Sequence, residues 1–328
     1  VSGRLRVLLI TSAVIAVLFA AATLVARSLP APNRPVLLLA VAAPYAPVLV
    51  MVALVLLALC RRMVLSIVAV AVLVAALAVQ IPWYYLGRPA DVGEHTDVRI
   101  LSSNLSKGGA ATSSFVELAR NGADIVTVSE LTPEAVQHFS QFGLDKHFPY
   151  SVLHPKPGAA GVGLWSRFPF ATTWRKPYTA LVVAAQLQIP GVRFGPVVAS
   201  LHIVSPLALG FAFSDWTGEI ERDKRALGDF GRAAGPGAVI VGGDFNSTPD
   251  VRQFRDLLTD GYRDAVQQSG AGFGPTFPVS SWHPPLLTID HVLTRQAAVP
   301  SIRTVEVPGS DHRALLATVE VPVDATAS

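Results

Sequence analysis

The stretch Val241–Asp250, VGGDFNSTPD, decides how this chain is read. An apolar run from Ala238 to Val241 breaks off into two glycines, followed by an acid, an aromatic, an amide and a turn. Asn, Asp, Ser, Pro and Gly serve any strand end, because they tolerate special dihedrals and bond their own backbone. Strand geometry offers a second reason. Residues two apart share a face, so Asp244 and Asn246 project together, and a carboxylate beside an amide can hold and activate a water. The rest of the chain chooses between the two readings.

With 328 residues the chain has room for more than one structural unit. Its first 90 residues contain no Asp or Glu. They hold three apolar spans, Val7–Ala26, Val36–Leu59 and Met63–Pro82, each long enough to cross a bilayer and free of internal charge. One short span could be a signal peptide, but three in succession cannot. With the N-terminus inside, Arg4, Arg6, Arg61 and Arg62 lie on the inner side and Arg27, Arg34 and Arg88 on the outer. That thin majority, four against three, predicts that everything after residue 90 lies outside the cytoplasm, with Trp83, Tyr84 and Tyr85 as an aromatic belt at the outer interface. The single cysteine, Cys60, excludes an internal disulfide.

Charge is informative when divided. The whole chain carries 26 basic and 23 acidic residues, a formal +3. Setting aside the seven arginines of the first 90 residues leaves 19 basic against 23 acidic, a formal −4. A protein that grips nucleic acid by its phosphates carries a basic surface, and this composition does not supply one.

The predicted organisation is a membrane anchor over residues 1–85, a polar linker over 86–97 and a catalytic domain over 98–328. Strand-like runs fall at Val98–Leu105, Ala123–Ser129, Gly161–Ser166, Leu181–Ile189, Val197–Ile203, Ala238–Gly243, Thr288–Leu293 and Arg313–Val321. Helical spacing covers Ser114–Asn121, Pro133–Phe142, Trp216–Ala234 and Val251–Leu258. This alternation predicts one mixed α+β domain with sheets at its centre and helices outside.

Polar residues sit at the ends of six of these strands. They are Asn104, Glu130, His202, the pair Asp244 and Asn246, Asp290, and the dipeptide Asp311-His312. Polar strand ends that converge on one rim are how a sheet scaffold assembles a site.

At these residues the chain resembles the endonuclease/exonuclease/phosphatase superfamily, the DNase I-like proteins. GGDFNSTP carries the resemblance most specifically. SE at 129–130, GVGLWSRFP at 161–169, TFP at 276–278, IDHVL and SDHRAL follow in the family's order. The resemblance implies a two-sheet β-sandwich flanked by helices, here preceded by three transmembrane helices. It implies Asn104, Glu130 and Asp311 at a divalent metal, Mg²⁺ or Mn²⁺, which oxygen ligands suit. Asp244 would orient or deprotonate the attacking water, and Asn246 would hold that water or a phosphoryl oxygen. His312 would contact the phosphoryl group and His202 would protonate the leaving group. Asp290 would orient a histidine, either His202 or His312. Phosphodiester cleavage needs these functions: a nucleophilic water, neutralised oxygens and help for the departing oxygen.

One departure weakens a direct nuclease analogy. Some nucleases carry a further carboxylate between the positions of Glu130 and His202, and GVGLWSRFP has none. The expected function is therefore a metal-dependent phosphoesterase that hydrolyses a phosphodiester, or a phosphomonoester, of a lipid or cell-envelope substrate outside the cytoplasm, with the bilayer as its partner. A membrane-anchored nuclease is the alternative, and a non-catalytic membrane scaffold is disfavoured by the intact site residues. Arg167, Lys107, His138, His147, His154 and His283 read as structural or surface residues. The apolar loop after His202, SPLALGFAFSDW over 205–216, is expected to fold into the core, the alternative being a lipid-facing wall.

Overall fold

The apolar N-terminal runs become helices. The computed structural model describes residues 3–174 and 181–327. Helix α1 spans Gly3–Ser28, α2 Arg34–Val41, α3 Ala46–Leu59 and α4 Met63–Tyr84. The expected second span is interrupted. Pro44 lies in a 3₁₀ turn over Ala43–Tyr45, and Pro47 opens α3 where its missing N–H costs nothing. Among the described residues, three stretches are long and apolar enough to cross a membrane: Gly3–Ser28, Arg34–Leu59 and Met63–Tyr84. Within this unit Ala13, Val17 and Ala20 of α1 pack with Ala46, Val50 and Ala53 of α3. The small side chains of Ala13, Ala20, Ala46 and Ala53 let the two helix backbones approach closely.

The chain divides into two compact units, Val1–Trp83 with Pro249–Arg255, and Tyr84–Thr248 with Asp256–Ser328. In the first unit the buried Asp250 accepts hydrogen bonds from Arg27 Nε and Gln80 Nε2, both at 2.8 Å. The Gln253 amide pairs with both backbone groups of Ala31, and Arg255 donates to the Arg27 carbonyl.

In the second unit, strands and helices alternate in the order β1 His95–Asn104, α5 Thr112–Gly122, β2 Ile125–Ser129, α6 Pro133–Gln141, α7 Leu144–His147, β3 Tyr150–His154, β4 Val162–Ser166, β5 Phe170–Trp174, β6 Val182–Leu187 and β7 Val197–His202. There follow α8 Phe213–Ala234, β8 Val239–Asp244, α9 Arg252–Arg255 (a segment that groups with the first unit), β9 Arg263–Asp264, α10 Ala265–Ser269, β10 Asp290–Arg295, β11 Ala298–Glu306 and β12 Arg313–Pro322. They form two six-stranded sheets, ordered β11-β12-β1-β2-β4-β3 and β5-β6-β7-β8-β10-β9. Among the described residues, only β1 with β2 and β7 with β8 run parallel.

The sheets face each other. Val98, Ile100, Ile125 and Leu164 of one meet Val183, Val198, Ile240 and Val292 of the other in a single apolar cluster. α5 and α6 cover the outer face of the first sheet through Phe115 and Phe139. α8 packs on β7 and β8 with Trp216, Ile220, Leu227 and Phe230 buried. This is the predicted sandwich.

The differences from expectation are local. β1 begins three residues early, because His95, Thr96 and Asp97 pair with β12 inside the expected linker. The helix expected over Val251–Leu258 shortens to α9, where the polar contacts of 250–255 draw the chain toward α1.

The two glycines of the opening stretch have a steric cause. A Cβ on Gly243 would stand 1.8 Å from the Leu201 carbonyl oxygen, and one on Gly242 would stand 2.4 Å from Thr127 Oγ1 of the opposite sheet. Only hydrogen fits at either position. Polar seams close the same end, with Ser200 Oγ donating to the Val128 carbonyl and Ser129 Oγ to that of Leu201. Each such bond contributes about 1 kcal/mol net, and together they hold the strand ends of both sheets at one rim.

Candidate active site

Register brings the polar residues together. His202 lies opposite Asp244 in the parallel β7–β8 pair, and Asp290 opposite Asp244 in the antiparallel β8–β10 pair. Three residues from distant parts of the chain thus form a row across one sheet. The other sheet contributes Asn104 from the end of β1 and Glu130 from just beyond β2, where Asn104 is in register with Ser129.

Asp244 is the hub. Its Oδ2 accepts from Asn104 Nδ2 at 2.9 Å and from Asn246 Nδ2 at 3.3 Å, and its Oδ1 accepts from the Asn246 backbone N–H at 2.8 Å. The Nε2 atoms of both His202 and His312 stand 3.8 Å from that same Oδ2. Burial, with the nearby Asp290 charge adding to it, pushes the Asp244 carboxyl up to about 6 against the opposing pull of both imidazoles.

The two imidazoles are fixed differently. His312 Nδ1 bonds Asp290 Oδ2 at 2.8 Å, and its ring packs against Phe277. Burial alone would lower its pKa, but the charge and hydrogen bond of Asp290 overcome this and raise it to about 10, so His312 is a cation at neutral pH. His202 Nδ1 faces the Ala159 carbonyl at 3.0 Å. A carbonyl only accepts, so Nδ1 carries a proton and Nε2 faces Asp244. Asp290, which the sequence left between two histidines, is paired with His312.

Glu130 and Asn104 stand together on the other side of Asp244. Asn104 Nδ2 also reaches Glu130 Oε1 at 3.3 Å, and the Lys107 backbone N–H donates to Glu130 Oε2 at 2.8 Å. Glu130 has φ 58°, Asn246 φ 45°, Ser106 φ 48° and Lys107 φ 56°. Four of the seven non-glycine residues with positive φ, among those described, thus lie at this rim. Each such conformation costs about 1–2 kcal/mol, and concentrated strain of this kind marks functional geometry. Asp311 is exposed and lines the same pocket of about 430 Å³.

The residues suit a divalent cation. Among the described residues, Glu130, Asp244 and Asp311 line the pocket with Lys107, His202 and His312. Glu130 would supply anionic oxygens of the kind hard cations take, and Asn104 Oδ1, which accepts from the Ser106 N–H at 2.9 Å, a neutral one. Asp244, Asp290 and His312 also have potential ligand atoms within 4.8 Å of one another, but the His312–Asp290 hydrogen bond already uses one from each.

Several contributors were not singled out from the sequence. Ser310 Oγ donates to the Asn104 carbonyl and accepts from the His312 N–H, locking β1 to the loop before β12. His291 bonds Asp264 at 2.7 Å and the Ser247 carbonyl at 3.0 Å, which pins the loop after Asn246. The neighbouring Ser and Asp-His pairs in the motifs were the available signal. Arg167 is structural as expected, bonded to the Arg120 carbonyl and stacked over Phe148. The loop after His202 departs from expectation. Trp216 is buried, but Leu209 is 96% exposed, Leu207 and Phe211 are about half exposed, and Phe211 lines the pocket. Gly210 at φ 82° and the α8 start, where Asp215 caps the Ala212 N–H, turn the loop outward rather than into the core.

Comparison with known proteins places these observations in a family. The model of the endonuclease/exonuclease/phosphatase family matches residues 101–312. No curated protein matches the chain. Among solved structures, an endonuclease/exonuclease/phosphatase from Bacteroides vulgatus aligns with a TM-score of 0.57 at 17% identity, over 69% of this chain and 99% of that one. A D. rerio TDP2 complexed with a single-strand DNA product aligns with a TM-score of 0.54 at 17% identity, over 68% and 99%. A Bacteroides thetaiotaomicron protein of the same family aligns at 0.54 and 12%, over 70% and 99%. At these identities the likeness is one of fold.

Proposed function

The chain belongs to the endonuclease/exonuclease/phosphatase family, and we propose that it is a divalent-metal-dependent phosphoesterase that cleaves a phosphodiester by direct attack of water. The observation that carries this reading is Asp244, a buried carboxylate with two imidazoles aimed at one of its oxygens and a flanking amide.

The roles follow from geometry. Asp244, with its pKa raised toward neutrality, takes a proton from water more effectively than an ordinary carboxylate. Asn246, fixed by the Ile203 carbonyl at 2.8 Å, positions that water or a phosphoryl oxygen. His312, held cationic by Asp290, offsets negative charge on the non-bridging oxygens. His202, with its Nδ1–H on Ala159, presents Nε2 to the pocket, and once protonated there it delivers a proton to the leaving oxygen. Asn104 and Glu130, with Asp311 at the rim, hold Mg²⁺ or Mn²⁺. Bound there, the metal supplies Lewis-acid stabilisation of the phosphoryl oxygens.

The proposed substrate is a lipid or envelope phosphodiester met outside the cytoplasm. Three membrane-length helices, a remainder at formal −4 and the arginine distribution support this choice. A nuclease is the second reading, favoured by the fold shared with the DNA-bound TDP2. A panel containing phospholipid diesters, a small soluble diester and single-stranded DNA, each with Mg²⁺ or a chelator, tests both. Metal-dependent release from lipid diesters supports the first reading. Cleavage of DNA alone supports the second, and no metal-dependent cleavage of any substrate removes both.

A further inference from the structure

The wall of the catalytic pocket carries the polar side chains of Glu130, Asp244, Asn246, His202 and His312. The rest of the wall is largely apolar, with Leu181, Val204, Ala208, Phe211, Phe277 and Ile289. Leu207 and Leu209, on the loop that carries Ala208 and Phe211, are exposed. Among the described residues, Lys107 is the one lysine in the lining.

We propose that this apolar lining is a subsite for a hydrocarbon chain attached to the scissile phosphate, so that the substrate is an amphipathic phosphodiester with one anionic group and an alkyl tail. The inference rests on the phosphoesterase reading and specifies its substrate class. The apolar lining is mainly aliphatic, whereas unstacked bases are held on aromatic platforms. Phe277 packs against His312, so its face is already engaged by the catalytic ring. An alkyl chain fits the remaining surface, because burying methylenes against Leu, Val and Ile is favourable without directional partners.

Non-hydrolysable n-alkylphosphonates of increasing chain length test the subsite apart from turnover. Their binding to the full chain in nanodiscs with Mg²⁺ is measured by calorimetry, with empty nanodiscs as the blank. The expected result is a gain of about fourfold in affinity for each methylene buried, levelling off once the pocket is full. Phe211→Ser should flatten that gradient, and Ala208→Glu, on a partly exposed loop position, provides a second variant if the first is misfolded. A gradient that never levels off, or that matches empty nanodiscs, reflects partition into lipid and overturns the proposal. So does tighter binding of an oligonucleotide than of any alkylphosphonate. Turnover is followed in parallel with p-nitrophenyl alkyl phosphates. A saturating gradient without turnover would leave the subsite standing and remove the phosphoesterase reading. Turnover without a gradient would do the reverse.

Discussion

His312 Nδ1 and Asp290 Oδ2 lie 2.8 Å apart, and the bond joins a residue just before β12 of one sheet to the first residue of β10 in the other. It orients the imidazole so that Nε2 points at Asp244 and keeps the ring protonated. The geometry of the candidate site and the closure of the sandwich therefore share one contact.

That contact gives stability a pH dependence. The folded pKa of His312, about 10, lies above the ordinary value of about 6.5. The stabilisation is thus fully present below about pH 6.5 and is lost as pH rises through 10, by an amount on the order of a few kcal/mol. Urea unfolding in chelator, comparing the wild-type chain with Asp290→Asn, should show a wild-type advantage that shrinks between pH 6.5 and 10. An advantage constant over that range would mean the pair carries no such linkage.

The glycine pair predicts a contrast between neighbours. Gly243→Ala meets backbone at 1.8 Å and should cost at least the upper end of the ~1–3 kcal/mol typical of overpacking. Gly242→Ala meets the Thr127 and Ser102 side chains, so Thr127→Ala should recover part of its loss. Gly218→Ala on α8, whose nearest neighbour is the far end of Arg222, should be neutral or stabilising. Thermal melting of the four proteins measures this. Equal effects at Gly243 and Gly218 would contradict the close approach of β7 and β8.

Asp250 predicts a stability defect within the first unit. Asp250→Ala leaves Arg27, whose side chain is only 14% exposed, and Gln80 without their shared acceptor. Removing one partner of a buried pair costs about 3–5 kcal/mol. The variant in detergent should melt at lower temperature, and combining it with Arg27→Gln should restore part of the loss. If the double variant is no more stable than the single one, the ion pair is not what holds Pro249–Arg255 to α1.

Topology is tested by fusion after Ser328 of a reporter active only in the cytoplasm. The expected result is a silent reporter. Strong activity would reverse the orientation proposed from the arginines and leave the chemistry unaffected.

Much of the fold and the site residues could be read from the sequence because strand ends are written locally. Apolar runs that end in a polar residue, as in VRILSSN, VTVSE and VASLH, marked the strand ends, and the motif order supplied the family. Contacts between distant segments could not be read that way. Nothing local tells that Asp290 serves His312 rather than His202, since the choice depends on where β12 lies beside β1. The Ala159 carbonyl under His202 carries no side-chain signal at all. The loop over 205–216 differs from expectation because apolar content alone does not distinguish a core segment from an exposed loop.

The role of Asp244 is measured most directly by single-turnover hydrolysis of a small soluble phosphodiester at saturating Mg²⁺. Asp244→Asn, nearly isosteric but unable to accept the proton, should lower the rate by ~10²–10⁴-fold, and added metal should not recover it. Glu130→Gln should instead regain rate as Mg²⁺ is raised. Near-normal turnover by Asp244→Asn in excess Mg²⁺ would contradict the assignment of Asp244 as the group that acts on water.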